Sequence, residues 1–259
     1  MATDGKFSLQ ELMAVCAARE IRNDDVVFVG TGLPMLGSML AKRTHAPDAV
    51  LVYESGVVDA RPKRTPWSIG DGCLVPDSAM VAGLLEVFGL LLQRGRVSVG
   101  FLGAAQIDPY GNLNSSVIGE YYAAKVRLPG SGGGNDIGSL AHRTVIMMGQ
   151  DKRKFVEKVD YITTPGFLAG PGAREAAGLP RGGPDAVISN LGVYRFDAQS
   201  KRIFLETYHP GVTLDQVKEN VQWALAVAPY AAETKPPHAD ELRLLRDELD
   251  PDGIFLGGG

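Results

Sequence analysis

Val26-Val27-Phe28-Val29-Gly30-Thr31-Gly32 sets four consecutive apolar residues, three of them β-branched, against a threonine flanked by glycines. An apolar run of this length without alternation fits a strand buried on both faces, as in a parallel sheet, and the glycines suit a sharp turn into a helix. The helix follows at Met35–Arg43, and the same rhythm recurs outward in both directions. Upstream, Leu12, Met13, Val15, Cys16, Ala17 and Ile21 fall at helical spacing, with Ser8 and Glu11 in a capping-box pattern, which predicts a helix over Leu9–Ile21. Downstream, the pattern predicts a strand at Val50–Tyr53, a long helix at Asp77–Leu92 and a strand at Val97–Leu102. Further strands are expected at Thr144–Met148, Tyr161–Thr163 and Ala186–Ser189, and a hairpin from Tyr194–Phe196 with Ile203–Leu205.

Strands alternating with helices predict an α/β fold, an open and mostly parallel sheet with helices on both faces, and the late hairpin adds an antiparallel edge. Residues 1–259 read as one domain with a C-terminal helical extension from about residue 213 to 259. Within it, helices are expected at Leu214–Val221 and Asp240–Glu248, joined by a Pro229–His238 linker.

Composition narrows the function. An apolar content of 45% fills a sizeable core, and a net charge of −4 argues against a nucleic-acid surface. The four histidines, His45, His142, His209 and His238, form no metal-binding spacing, and Cys16 and Cys73 form no Cys-x-x-Cys pair, so no metal site is expected. The longest apolar stretches, Met80–Leu92 and Val97–Ala105, fall short of the ~20 residues that span a bilayer. With no basic, apolar leader at the N-terminus, a cytoplasmic protein away from the membrane is expected.

Ligands of open α/β sheets bind beyond the carboxyl ends of the strands. Glu54 stands there, after Val50–Tyr53 and before Ser55-Gly56; spacing alone allows equally a reactive carboxylate or a structural one that caps a helix or pairs with an arginine. Gly130-Ser-Gly-Gly-Gly-Asn-Asp136 allows convergent backbone N–H groups, as in an oxyanion hole or phosphate cradle, or a surface loop. It lacks the Gly-Lys-Ser/Thr of a P-loop, and Gly30-Thr-Gly32 lacks the third glycine of a dinucleotide fingerprint. Gln106-Ile-Asp-Pro-Tyr-Gly-Asn-Leu-Asn114 combines a turn signal with neutral hydrogen-bonding groups at Gln106, Asn112 and Asn114. Thr164-Pro-Gly-Phe-Leu-Ala-Gly-Pro-Gly172 reads as a covering loop or a subunit contact.

Val29-Gly-Thr-Gly-Leu-Pro34, Glu54-Ser-Gly56, Gly103–Asn114 and Gly130–Gly134 occur together in that order, followed by Tyr161–Gly166 and Leu249-Asp-Pro251. In this combination the chain resembles the B subunits of family I CoA-transferases, most of all those of the glutaconate type. The resemblance implies a fold shared with sugar-phosphate isomerases, coenzyme A as a substrate, no tightly bound cofactor, and an A-type subunit as partner in an A2B2 or larger assembly. It implies Glu54 as covalent nucleophile and the N–H groups of Gly132 and Gly133 as oxyanion donors. Gly30, Ser55, Gln106, Asn112 and Asn114 bind substrate or shape the site. Ser189–Tyr194 and Tyr208–Val212 also resemble B subunits of steroid-ring hydrolases, so hydrolysis, ring opening or decarboxylation of a CoA ester is the alternative chemistry. The nucleophile position in those relatives is not a glutamate.

Overall fold

The computed structural model describes residues 7–179 and 181–257. The Ser8 hydroxyl accepts the Glu11 N–H at 3.2 Å and the Glu11 carboxylate accepts the Ser8 N–H at 2.6 Å, so helix α1 (Leu9–Arg19) begins on a complete capping box. Strand β1 (Val26–Phe28) turns through Gly32 into α2 (Leu33–Arg43), and β2 (Val50–Val52) follows. A Cβ on Gly37 would stand 2.6 Å from that of Ala17, so α1 and α2 pack closer than any side chain at that position would permit.

Contacts along the chain gather into two compact units, one made of residues up to Phe101 with those from Lys235 onward, the other of Leu102–Thr234. The first holds β1, β2, β3 (Val57–Val58), β4 (Met80–Val81) and β5 (Val99–Leu102) in the order β5-β1-β2-β3-β4. Its β5, β1 and β2 run parallel, as the buried apolar run predicts, while β3 and β4 add on antiparallel. The long helix expected over Asp77–Leu92 is not formed. Asp77 has a left-handed φ of 59°, Met80–Val81 pairs with Val57–Val58, and the chain coils only from Leu84, with Glu86–Leu92 a wide i→i+5 helix. An unbroken apolar run cannot tell these outcomes apart, and a sheet edge claimed its first half.

The second unit carries two short ribbons, β6 (Gln106–Ile107) with β7 (Leu113–Asn114) and β8 (Val117–Ile118) with β9 (Val126–Arg127). Then come α3 (Gly134–Leu140), β10 (Arg143–Met147), α4 (Ala173–Ala176), β11 (Pro184–Ile188), β12 (Gly192–Phe196), β13 (Ile203–Tyr208), α5 (Leu214–Glu219) and β14 (Ala226–Glu233). Strands β10 and β11 are parallel, and β12–β13 is the expected antiparallel hairpin. It is not the edge, because β14 pairs beyond it, parallel to β13. The expected Pro229–His238 linker is therefore a strand over its first half, and a register shift between Leu205 and Thr207 takes Pro229 out of the ladder. Tyr161–Thr163 is not a strand either; the N–H groups of Thr163 and Thr164 both reach the Leu113 carbonyl, in a single bridge.

From Lys235 the chain closes the first unit with α6 (Ala239–Arg243) and a wide helix at Leu244–Leu249. Arg246 donates to both Glu11 carboxylate oxygens at 2.5 and 3.0 Å, Arg19 donates to the carbonyls of Lys235 and Pro236, and Thr65 to that of Leu249.

Candidate active site

Glu54 occupies the tip of the hairpin joining β2 to β3. Tyr53 N–H reaches the Val57 carbonyl at 2.9 Å and Gly56 N–H the Tyr53 carbonyl at 2.9 Å, closing a four-residue turn with Glu54 and Ser55 at its centre. Gly56 is obligatory there: its φ is +107°, and a Cβ would meet the Ala82 carbonyl oxygen at 1.9 Å. Ser55 donates to the Ile69 carbonyl at 2.7 Å, tying the turn to the segment that follows β3. The half-buried Glu54 carboxylate has neither a hydrogen bond nor an ion pair among the described residues, so it caps no helix and pairs no arginine. Beneath it the Tyr53 side chain is fully buried with its hydroxyl unbonded; burial above all, then Cys73 and Asp59, pushes the phenol up and keeps it neutral.

Gly30 lies two residues beyond the neighbouring strand β1, where a Cβ would come within 3.3 Å of the Phe101 carbonyl. Gly30 and Glu54 therefore lie past the carboxyl ends of adjacent parallel strands of the first unit, the place at which such sheets take ligands.

The remaining sequence-predicted residues belong to the second unit. Asn114, 0% exposed, donates to the Gln106 side-chain oxygen at 2.7 Å and to the Val117 carbonyl at 2.6 Å, and accepts from the N–H groups of Ser116 and Val117. Gln106 in turn donates to Asp160 at 3.1 Å and accepts its N–H at 3.1 Å. Asn112 is a clamp. Its oxygen accepts the N–H groups of Gly166 and Leu168, and its nitrogen donates to Asp108 and to the Leu168 carbonyl, holding Leu168 at a left-handed φ of 53°. Burial raises the Asp108 carboxyl above the usual range against the pull of its Asn112 and Tyr110 donors. These amides spend their donors and acceptors inside the chain.

Gln106 and Asn114 are linked onward to the glycine loop. Thr163 stands beside Asn114 and accepts the Ser115 N–H at 2.9 Å, and Ser115 and Gly130 exchange two bonds of 2.8 Å. Gly132, at φ +47°, has open space where a side chain would be, and the N–H groups of Gly132 and Gly133 donate no hydrogen bond among the described residues. Two adjacent unspent N–H groups ahead of α3 suit a developing negative charge.

Sequence reading missed Arg174. Only 3% exposed, its guanidinium donates to the carbonyls of Pro165, Gly166, Gly138 and Arg181 over 2.8–3.2 Å and forms no ion pair among the described residues. Burial lowers its pKa, yet a guanidinium keeps its charge, and four carbonyls replace its water. Through Pro165 and Gly166 it holds the Thr164–Gly172 loop, to which Asn112 also bonds at Gly166 and Leu168. A second buried network joins the two segments that resemble the hydrolase pattern: Gln150 accepts from Ser189 and Tyr194, and His209 bridges the Ser189 carbonyl at 2.8 Å and Thr234 at 3.0 Å. Burial lowers the His209 pKa, so it stands neutral with Nε2 donating to that carbonyl. Among the described residues no cluster of three His, Cys, Asp or Glu could hold a metal, and no helix is long and apolar enough to cross a membrane.

A family model described as coenzyme A transferase matches residues 10–220. The chain is 41% identical to the B subunit of glutaconate CoA-transferase from Acidaminococcus fermentans, over 99% of this chain and 97% of that one. It is 45% identical to the B subunit of 3-oxoadipate CoA-transferase from Pseudomonas knackmussii, over 93% and 92%. The crystal structure of the Acidaminococcus fermentans glutaconate coenzyme A-transferase superposes with a TM-score of 0.92 at 39% identity, covering 97% of this chain and 98% of the matched one.

Proposed function

This chain belongs to the coenzyme A transferase family, and we propose that it acts as the B subunit of a two-subunit enzyme moving CoA between an acyl-CoA thioester and a free acid. The acid class is dicarboxylic or glutaconate-like, residues 1–259 serve as one catalytic subunit, and the enzyme works in the cytoplasm with an A-type subunit in an A2B2 or larger assembly. The observation that carries the reading is the Glu54 carboxylate: a hydrogen-bonded turn holds it past a parallel strand, and among the described residues nothing bonds to it.

In this mechanism a Glu54 oxygen attacks the thioester carbonyl, the C–S bond breaks, and an acyl-glutamyl anhydride and CoA thiolate form. The thiolate attacks the glutamyl carbonyl of the anhydride, releasing the first acid as its carboxylate and leaving a glutamyl-CoA thioester. A second carboxylate then attacks that thioester, and the expelled thiolate takes the new acyl group, restoring Glu54. Dividing one exchange into such steps needs a nucleophile and oxyanion donors but no general base, since the attacking carboxylate has no proton to lose. The unspent N–H groups of Gly132 and Gly133 serve as the donors, and removing one such donor typically costs ~10²–10³ in rate. Gly30 and Ser55 shape the Glu54 side. Gln106, Asn112 and Asn114 shape the site by holding its loops, which their saturated bonding favours over direct contact with substrate.

The complex with its A-type subunit, incubated with acyl-CoA and treated with hydroxylamine or borohydride, should carry the trapped modification on Glu54 by peptide mass spectrometry. Release of CoA without an acceptor acid and without any modified Glu54 would replace transfer by hydrolysis.

A further inference from the structure

Glu86–Leu92 reads Glu-Val-Phe-Gly-Leu-Leu-Leu, apolar almost all the way round. Val87 and Leu92 are fully buried and Phe88 packs on Phe28, with ring centroids 5.2 Å apart. The other side, with the end of the preceding strand, faces outward: Leu85 is 80% exposed, Leu90 60%, and Val81 and Leu84 58% each, with Met80 and Val75 close behind. A helix apolar on every side is stable in water only when something covers each face. β4, carrying Met80 and Val81, is moreover the last strand of its sheet, with its outer edge unpaired among the described residues.

We propose that this surface, the β4 edge and the first turns of the helix after it, is where the A-type subunit docks. The proposal rests on the two-subunit reading above. Area and position select this occupant. With roughly 150–200 Å² per large side chain, six residues at about half to four-fifths exposure offer on the order of 600 Å². Concentrated within the Val75–Leu90 segment, that apolar area approaches the ~800 Å² each partner contributes to a standard interface. The surface also grows out of the Glu54 turn: Ala82 N–H bonds the Gly56 carbonyl at 2.9 Å, and the Ala82 carbonyl is the atom that a side chain at Gly56 would strike. Whatever covers Val81, Leu84 and Leu85 is therefore fixed within a few residues of an open carboxylate whose covalent intermediates must be kept from water. A second copy of this chain would bring another Glu54 to that place, whereas a different subunit can supply the missing wall of the site.

The test uses the full chain co-produced with the A-type subunit encoded with it. Leu85→Arg, and Leu84→Lys as an independent variant in the same segment, should weaken association at least ~30-fold, the scale of an interface hot spot, with the thermal unfolding of the isolated chain unchanged. Tyr122→Glu, at a residue 94% exposed in the other unit, should leave association intact. Wild-type association by both Leu variants overturns the proposal. So does a wild-type chain that self-associates through this face, loses that in Leu85→Arg and still binds the A-type subunit. A wild-type chain that binds no A-type subunit overturns the docking surface and the two-subunit reading together. A complex that forms, is broken by Leu85→Arg and yet shows no trapped Glu54 keeps the docking surface and removes only the transferase chemistry.

Discussion

Glu54 and Asn114 are both polar residues beside short β-elements, yet the fold treats them oppositely. Asn114 is wholly buried with its amide engaged on both atoms, whereas the Glu54 carboxylate is half-buried and bonded to nothing among the described residues. A polar side chain that a fold uses as structure must be saturated, because each unmet buried donor or acceptor costs about 1–3 kcal/mol. One kept for chemistry is left open while the backbone beneath it is fixed, which is the state of the Tyr53–Gly56 turn. Saturation, more than residue type, separates the spent side chain from the open one here.

Substitutions can break this contrast from either side, and the largest effect is expected at Glu54. Glu54→Ala should reduce CoA transfer by on the order of 10⁴-fold or more, as removal of a nucleophile does, while shifting stability by no more than about 0.5 kcal/mol, read from kcat and from denaturant midpoints. Glu54→Asp keeps the charge but withdraws it by one methylene, and a loss on the order of 10²-fold is expected from misplacement alone. A drop in stability in either variant would show that Glu54 is structural after all.

Asn114→Ala should do the reverse, lowering stability by roughly 2–4 kcal/mol through orphaned groups on Gln106, Ser116 and Val117. Asn112→Ala should fall in the same range, since it frees the strained Leu168. Gly56→Ala joins the two classes. It forces the turn off the Ala82 carbonyl, so about 2–3 kcal/mol of stability and most of the transfer activity should go together.

The smallest expected effect concerns pH. The folded state depresses the His209 pKa below its ordinary value near 6.5, so the neutral ring is the form the fold accepts. Its contribution is complete above that value. As pH falls through it the unfolded chain takes up a proton that the folded chain resists, and stability declines until the folded pKa is passed. His209→Gln should flatten the acid limb of the unfolding midpoint against pH; an unchanged limb would place the acid sensitivity elsewhere.

Much of this was legible in the sequence where the signal is local. The Ser8–Glu11 capping box, the turn from β1 into α2 and the carboxylate before Ser55-Gly56 need only a few neighbouring residues to be read. What escaped depends on partners far along the chain. Met80–Val81 became a strand because Val57–Val58 offered it an edge, and Ala226–Glu233 because β13 did, with a register shift that made room for Pro229. Arg174 sits in an ordinary Ala-Arg-Glu-Ala stretch, and its role exists only once Pro165, Gly166, Gly138 and Arg181 turn their carbonyls toward it. Conversely, Gln106, Asn112 and Asn114 were easy to find but not to interpret, because a sequence does not say whether an amide is already spent.

The unit carrying Glu54 is discontinuous, closed by Arg246 on Glu11 and by the Leu249 carbonyl on Thr65. During synthesis, at ~5–20 residues per second, the continuous Leu102–Thr234 unit leaves the ribosome whole, while the earlier-made Glu54 unit waits for the residues from Lys235 onward. A nascent polypeptide that has not yet reached Arg246 and Leu249 thus lacks the clasp on the unit around Glu54, and the order of translation delays the framework of that turn until those residues are made.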